Sequence, residues 1–141
     1  MSFWEPCWAC RLIGGEPCGT IVTESRDVIV AIHPFGFTAG HTLIMPREHV
    51  ANIYDLPDRL AGPVFSTAAR VARAAKSAFG ADGITLRQNN DAASDQHLFH
   101  FHLHVIPRFE GDGDPFVSSP LIATEEQERA AARLRAALAT A

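Results

Sequence analysis

The alternation of apolar and polar positions divides the chain into short strands and a few helices. Residues 20–23 and 28–32 are two β-rich apolar runs, and Glu24-Ser25-Arg26-Asp27 between them predicts a hairpin turn. Residues 42–45 form a third short apolar run, closed by Pro46. Residues 83–89 and 99–106 are two further strands joined by a polar loop. A stretch rich in Ala, Val and Arg follows Asp55-Leu56-Pro57 and reaches about Phe79, with Gly80 at its exit, which predicts one long helix. Pro63 removes an internal hydrogen bond, so this helix either kinks at that point or begins there. Residues 7–13 predict a short helix stopped by Gly14-Gly15. Thr124-Glu125-Glu126-Gln127 has the form of a capping box and opens a C-terminal helix over about 124–139, with Ala130, Leu134 and Leu138 on its buried face. His33-Pro34-Phe35-Gly36-Phe37 is a loop, and residues 110–120, rich in Gly, Pro and Asp, link the body to the last helix. The sum is an α+β fold: a five-stranded antiparallel sheet with one long helix, a short N-terminal helix and a C-terminal helix.

A length of 141 residues suits one domain over 1–141, its core at about 7–110. The net charge of −4 argues against bulk binding to nucleic acid but leaves room for a nucleotide, which needs only a local site. No apolar run is long enough to span a membrane. The N-terminus lacks the basic and apolar regions of a secretory signal. Three cysteines disfavour a full disulfide framework, so the expected compartment is the reducing cytoplasm.

The last strand carries the chemistry. His100, His102 and His104 stand at every second position, which places them on one strand face, roughly 6 to 7 Å apart. Phe99, Phe101, Leu103 and Val105 face the opposite way, and Pro107 is expected to mark the strand end. Neutral imidazole is a competent nucleophile near pH 7 and imidazolium a competent acid, so such a row suits phosphoryl chemistry. No Gly-rich P-loop is present.

The run His100-Phe101-His102-Leu103-His104-Val105-Ile106-Pro107-Arg108 resembles the defining motif of the histidine triad family. The resemblance extends to Gly40-His41, to Pro46-Arg47-Glu48-His49, and to Asn89 and Gln96, and covers roughly residues 7–110. It implies a HIT-like fold, a homodimer formed through the long helix, and nucleotidyl transfer or hydrolysis through a covalent histidine intermediate. By that resemblance His102 is the nucleophile, its other nitrogen held by the His100 carbonyl, and His104 is the donor or acid. His41 is either a proton relay behind the row or a satisfied core histidine. Gln96 and Asn89 match contacts to phosphate and ribose. Trp8 either stacks on a purine or packs in the core.

Cys7-Trp8-Ala9-Cys10 has zinc-ligand spacing, and a thioredoxin-like role would need a βαβ context that this chain lacks. A subset of the family binds structural zinc through such a pair, which adds His49 and His100 as ligands here; the alternative is two buried apolar thiols. Cys18 is a spare thiol. Three positions depart from the family pattern. His33 stands where an acidic or amide residue contacts ribose, His97 where a hydroxyl follows the glutamine, and Asp95 where glycine is usual.

The expected activity is a nucleotidyl hydrolase or transferase acting on purine nucleoside monophosphate conjugates of the phosphoramidate type. The alternatives are a dinucleoside polyphosphate hydrolase, for which Arg108 is the nearby motif cation, and a nucleotide-binding interaction protein with little turnover. A purely structural zinc module leaves His102 and His104 unexplained.

Overall fold

The structure is a computed structural model that describes residues 2–140. In chain order the elements are α1 (Trp8–Ile13), β1 (Ile21–Glu24), β2 (Val28–Ile32), β3 (Thr42–Pro46), α2 (Asp58–Phe79), β4 (Gly83–Arg87), β5 (Leu103–Arg108) and α3 (Thr124–Ala139). Short 3₁₀ turns at Ile53–Asp55 and Ala92–Ser94 precede α2 and β5. The strands form one five-stranded antiparallel sheet, as the patterning predicts, and their order is β1-β2-β3-β5-β4. No helix among the described residues is long and apolar enough to cross a membrane.

All five residues of β2 and of β3 are buried, because the sheet is covered on both faces. One face carries Val28, Val30, Ile44, Leu103 and Val105 against Val64 and Val71 of α2 and Leu134 of α3. On the other face Ile29, Ala31, Leu43 and Met45 pack under Trp8 and Leu12 of α1 and Leu98. Phe101, Leu103 and Val105 do face the core as the alternation requires, whereas Phe99 is exposed.

Several boundaries differ from the sequence reading. Helix α2 begins at Asp58, after Pro57, and runs through Pro63, whose carbonyl accepts from the hydroxyls of Ser66 and Thr67. The capping box of α3 does not form: Ala123 is the N-cap, and Gln127 Nε2 donates to the carbonyl of Ile122 at 3.0 Å. Strand β4 ends at Arg87, and Gln88 and Asn90 bond each other through their side-chain amides. Pro107 lies inside β5, opposite Ile84. Its carbonyl accepts from Thr38 Oγ1 at 2.6 Å, so its backbone faces the β3 side, where pairing has already ended at Thr42↔Val105. The missing N–H therefore removes no ladder bond.

The largest difference concerns residues 99–102, which are not part of the strand. Pairing of β3 with β5 stops at Ile44↔Leu103. The Phe101 amide bonds instead to the carbonyl of Val50 at 2.6 Å. Gly40 fixes the turn into β3: it has φ of +85° and abuts the Phe79 ring, so a Cβ would clash. His41 follows it directly, and the turn thereby aims the first histidine of the site.

Candidate active site

The histidines converge on a cavity of about 850 Å³ on the α1 side of the sheet. His33 follows β2, His41 precedes β3, and His104 lies on β5 across from Leu43. The three rings stand 4.5 to 5.4 Å apart by centroid, and ligand nitrogens of the three lie within 4.8 Å of one another.

Their hydrogen bonds define the tautomers. The Phe37 amide donates to His41 Nδ1 at 2.9 Å, so the proton of neutral His41 resides on Nε2. That Nε2–H donates to His104 Nδ1 at 2.9 Å, which leaves the His104 proton on Nε2. The Phe35 amide donates to His33 Nδ1 at 2.9 Å, and His33 also carries its proton on Nε2. His102 is the opposite case: its Nδ1–H donates to the carbonyl of His100 at 2.7 Å, and its Nε2 retains a free lone pair. The site thus sets one basic nitrogen, on His102, beside a nitrogen that carries a proton, on His104. Their ring centroids are 5.1 Å apart.

Burial keeps these rings neutral. Desolvation, then the charge of Arg87 and of His102, brings His41 down to about 3. Desolvation brings His102 to about 4, opposed by its bond to the His100 carbonyl. His33 and His104 are pushed well below the ordinary histidine value by the same burial and by the neighbouring rings.

His100 faces elsewhere. Its Nε2–H donates to the carbonyl of Pro46 at 2.7 Å, which turns Nδ1 toward the cysteines. Cys7 Sγ lies 3.8 Å from His49 Nδ1 and 3.6 Å from His100 Nδ1; for Cys10 Sγ the distances are 3.3 and 3.7 Å. A tetrahedral zinc ion with its usual bond lengths sets sulfur and nitrogen ligands about 3.6 Å apart. The four residues therefore fit such an ion, and the bond from His100 to Pro46 is the outer contact that orients a metal-bound imidazole. Partial burial and the adjacent Cys7 raise the Cys10 thiol to about 11, a cost that a cation between the two sulfurs would reverse.

Not every expected ligand contact is made. Trp8 is fully buried and donates from Nε1 to the carbonyl of Cys18 at 2.9 Å, so it packs rather than faces the cavity. Trp4, edge-on to it at 5.3 Å, lines the cavity with Phe3 and Phe35. Gln96 borders the cavity, yet its amide is occupied: Oε1 accepts from the Asp91 amide at 2.7 Å, and Nε2 donates to the carbonyls of Ala51 and Leu98. Asn89 donates to the carbonyl of Ser94 at 2.6 Å and accepts from Arg87 Nε at 3.0 Å. His97 is exposed at the cavity wall. Arg108, the expected motif cation, is turned away and paired with Asp112 at 2.8 Å. The guanidinium that does line the cavity is Arg87, which the sequence reading passed over, although it shares strand parity with Asn89.

The model of the HIT domain matches residues 15–111. The chain belongs to the HIT family. Protein hit of Bacillus subtilis is 36% identical over 79% of this chain and 77% of its own length. The adenylylsulfatase HINT3 of Arabidopsis thaliana is 33% identical over 75% of this chain and 54% of its own length. Among solved structures, a zinc-bound histidine triad family protein from Mycobacterium smegmatis superposes with a TM-score of 0.81 at 32% identity, covering 93% of this chain and 91% of that one. The HIT-like fold, with its open five-stranded sheet, is common to this chain and that structure.

Neutral imidazoles inside the fold make this HIT protein sensitive to acid. An unfolded histidine titrates near 6.5, so below that pH the unfolded chain binds protons that the folded site refuses, and stability falls as pH drops. For His41 alone, at about 3 in the fold, the loss from pH 7 to 5 is about 2 kcal/mol. We expect a melting temperature that declines from pH 7 to 5, and a shallower decline for His41→Asn measured over the same range. Equal slopes would show that His41 is not among the groups responsible.

Proposed function

We propose that this HIT protein is a nucleotidyl hydrolase or transferase, acting on purine nucleoside monophosphate conjugates through a nucleotidyl-histidine intermediate. The observation that carries this reading is the pair of opposite tautomers on His102 and His104. His102 Nε2 attacks the α-phosphorus. The His100 carbonyl holds the other ring nitrogen and stabilises the positive charge that develops on the ring. His104 Nε2–H serves the phosphate or the leaving atom, with His41 behind it as relay. Water or another acceptor then displaces the nucleotide from His102. The aromatic wall of Phe3, Trp4 and Phe35 suits the base, and His33 Nε2–H, in the place of the usual acidic or amide residue, suits a ribose oxygen. The activity in the name of the Arabidopsis relative, an adenylylsulfatase, lies within this reaction class. Asn89 and His97 border the phosphate region; Gln96 acts there through the loop that it holds.

His102→Ala should leave the fold intact and lower turnover of an adenosine phosphoramidate by several orders of magnitude. Rapid quench with labelled nucleotide should place label on the peptide that contains His102. Near wild-type turnover by the variant would exclude His102 as nucleophile.

We also propose that Cys7, Cys10, His49 and His100 bind one structural zinc, which supplies folding energy and no chemistry. The S···N distances and the zinc-bound Mycobacterium smegmatis structure support this. Cys10→Ala should lose metal and melt at lower temperature. Metal analysis that finds no zinc in chelator-free wild-type protein would remove the proposal. We propose a reducing, cytoplasmic setting, in which Cys7, Cys10 and Cys18 stay unbridged.

We propose the homodimer that the family resemblance and the second apolar side of the long helix suggest, and exposed apolar residues support it. Strand β4 is an unpaired sheet edge, Leu86 on it is 48% exposed, and Phe65 on α2 is 57% exposed. A second copy covering both is the simplest occupant. Sedimentation should report a dimer at micromolar concentration, and Phe65→Arg should shift it to monomer; a wild-type monomer would rule the dimer out.

A further inference from the structure

Among the described residues Arg87 is the one guanidinium that lines the histidine cavity. The sheet register places it directly across from His104, and the row Ala31, Leu43, His104, Arg87 runs across four strands on one face. Side chains opposed in this way lie about 5 Å apart at their Cβ atoms. Its Nε donates to Asn89 Oδ1 at 3.0 Å, its Nη1 to the carbonyl of Pro115 at 3.3 Å, and its carbon lies 4.5 Å over the Phe116 ring. Among the described residues no carboxylate pairs with it, although Glu5 and Asp95 border the same cavity. The braces position the fork and leave Nη2 without a protein partner among the described residues.

Place along the sheet gives this cation its task. Trp4, Phe35 and His33 stand at the β2 end of the cavity, His102 and His104 come from the β5 segment, and Arg87 from β4. Three strand spacings separate β2 from β4, about 14 Å in all. A nucleotide with its base at the aromatic end and its α-phosphorus at His102 directs the group beyond phosphorus toward Arg87. Arg87 is the guanidinium that lines this end of the cavity, so the developing charge on a departing oxyanion meets a permanent cation.

We propose that Arg87, braced by Asn89, Pro115 and Phe116, forms a subsite for an anionic leaving group. The preferred substrates are then nucleotidyl mixed anhydrides whose second half is a sulfate- or phosphate-like oxyanion, rather than amine-linked phosphoramidates. This rests on the nucleotidyl-transfer reading above. In the first step the His102 Nε2–P bond forms and the bridging P–O bond breaks, with its electron pair going to the departing oxygen. An oxyanion leaves without a proton and needs charge compensation, which Arg87 supplies. An amine leaving group instead needs a proton, which is drawn from solvent and handed over at His104 Nε2, so that His104 is a neutral imidazole before and after the step. Water then attacks phosphorus, the P–N bond breaks with its pair returning to Nε2, and the proton released goes to solvent.

The test compares adenosine 5′-phosphosulfate with adenosine 5′-phosphoramidate as substrates for wild type, Arg87→Met and Arg87→Lys. Arg87→Met should lose about 10- to 100-fold in kcat/KM on the phosphosulfate, the usual value of a charged hydrogen bond, and change less than about 3-fold on the phosphoramidate. Arg87→Lys should recover part of the loss, since it restores charge without the fork. Equal losses on both substrates would overturn the subsite, because Arg87 would then serve the shared α-phosphate; no loss on either would overturn it as well. If wild type turns over neither substrate, the enzyme reading fails, and calorimetry still decides the subsite. Adenosine 5′-phosphosulfate should bind wild type more tightly than AMP, and Arg87→Met should abolish the difference. Equal affinities in wild type would overturn the proposal. Unchanged melting temperature in Arg87→Lys separates these effects from misfolding.

Discussion

The carbonyl of His100 is the group on which the site depends. Had the ladder of β3 and β5 continued to Phe99, backbone groups of the 99–102 segment would have been consumed by the neighbouring strand. Pairing instead stops at Ile44↔Leu103, and the chain bends away toward Val50. The carbonyl is left free to accept from His102 Nδ1, and the imidazole of the same residue turns to Pro46 and the two cysteines. One residue therefore holds the tautomer of the proposed nucleophile with its backbone and anchors the Cys/His cluster with its side chain. Anything that fixes that cluster also fixes where the carbonyl stands. A structural ion there would act on chemistry only through geometry, by keeping Nε2 of His102 aimed outward.

Burial performs the complementary task. Four imidazoles whose neighbouring ring centroids stand 4.5 to 5.4 Å apart cannot all be cationic, and desolvation drives each toward neutrality. Neutrality leaves His102 Nε2 with the lone pair that the proposed attack on phosphorus uses. It also strips the cavity of the positive charge that a row of histidines first suggests. Among the described residues the positive charge lining the pocket therefore falls on Arg87, whose position follows from sheet register and not from any motif.

The sheet, the long helix and the alternation of the triad strand were legible in the sequence because they follow from hydrophobic period, Gly and Pro placement, and a dense His pattern. The Cys/His cluster was legible from motif spacing together with the family resemblance. What was not legible has physical reasons. The break at residues 99–102 is a tertiary event, decided by Val50 and Pro46, and strand alternation continues unchanged through it. Trp8 was ambiguous because an aromatic residue beside a site packs or stacks with the same local sequence; burial against Leu43 and the bond to Cys18 decide it. Arg108 looked relevant by adjacency to the triad, yet Asp112, four residues on, claims it. The C-terminal capping box does not form because the helix starts one residue early, at the N-cap Ala123, and Gln127 donates to the carbonyl of Ile122 rather than accepting from the Thr124 amide.

The loop before the triad shows how a motif can encode backbone geometry where contact chemistry was expected. Glycine is usual at position 95, and here Asp95 adopts φ +64° and ψ +32°, the left-handed region that Asp tolerates better than most residues. Asp91 is harder to place, with φ +74° and ψ +158°, a region that favours glycine strongly. It is held there from two directions: Gln96 Oε1 accepts from its amide, and the Tyr54 hydroxyl donates to its carboxylate at 2.8 Å. Gln96 is thus a loop clamp, buried and fully engaged, and its substitution would reach the cavity only by releasing Asp91 and Leu98. The departures from the family pattern then separate into two kinds. Asp95 preserves a backbone shape with a different residue. His33 and His97 place imidazoles where the family pattern has other groups, in the same pocket that Arg87 lines.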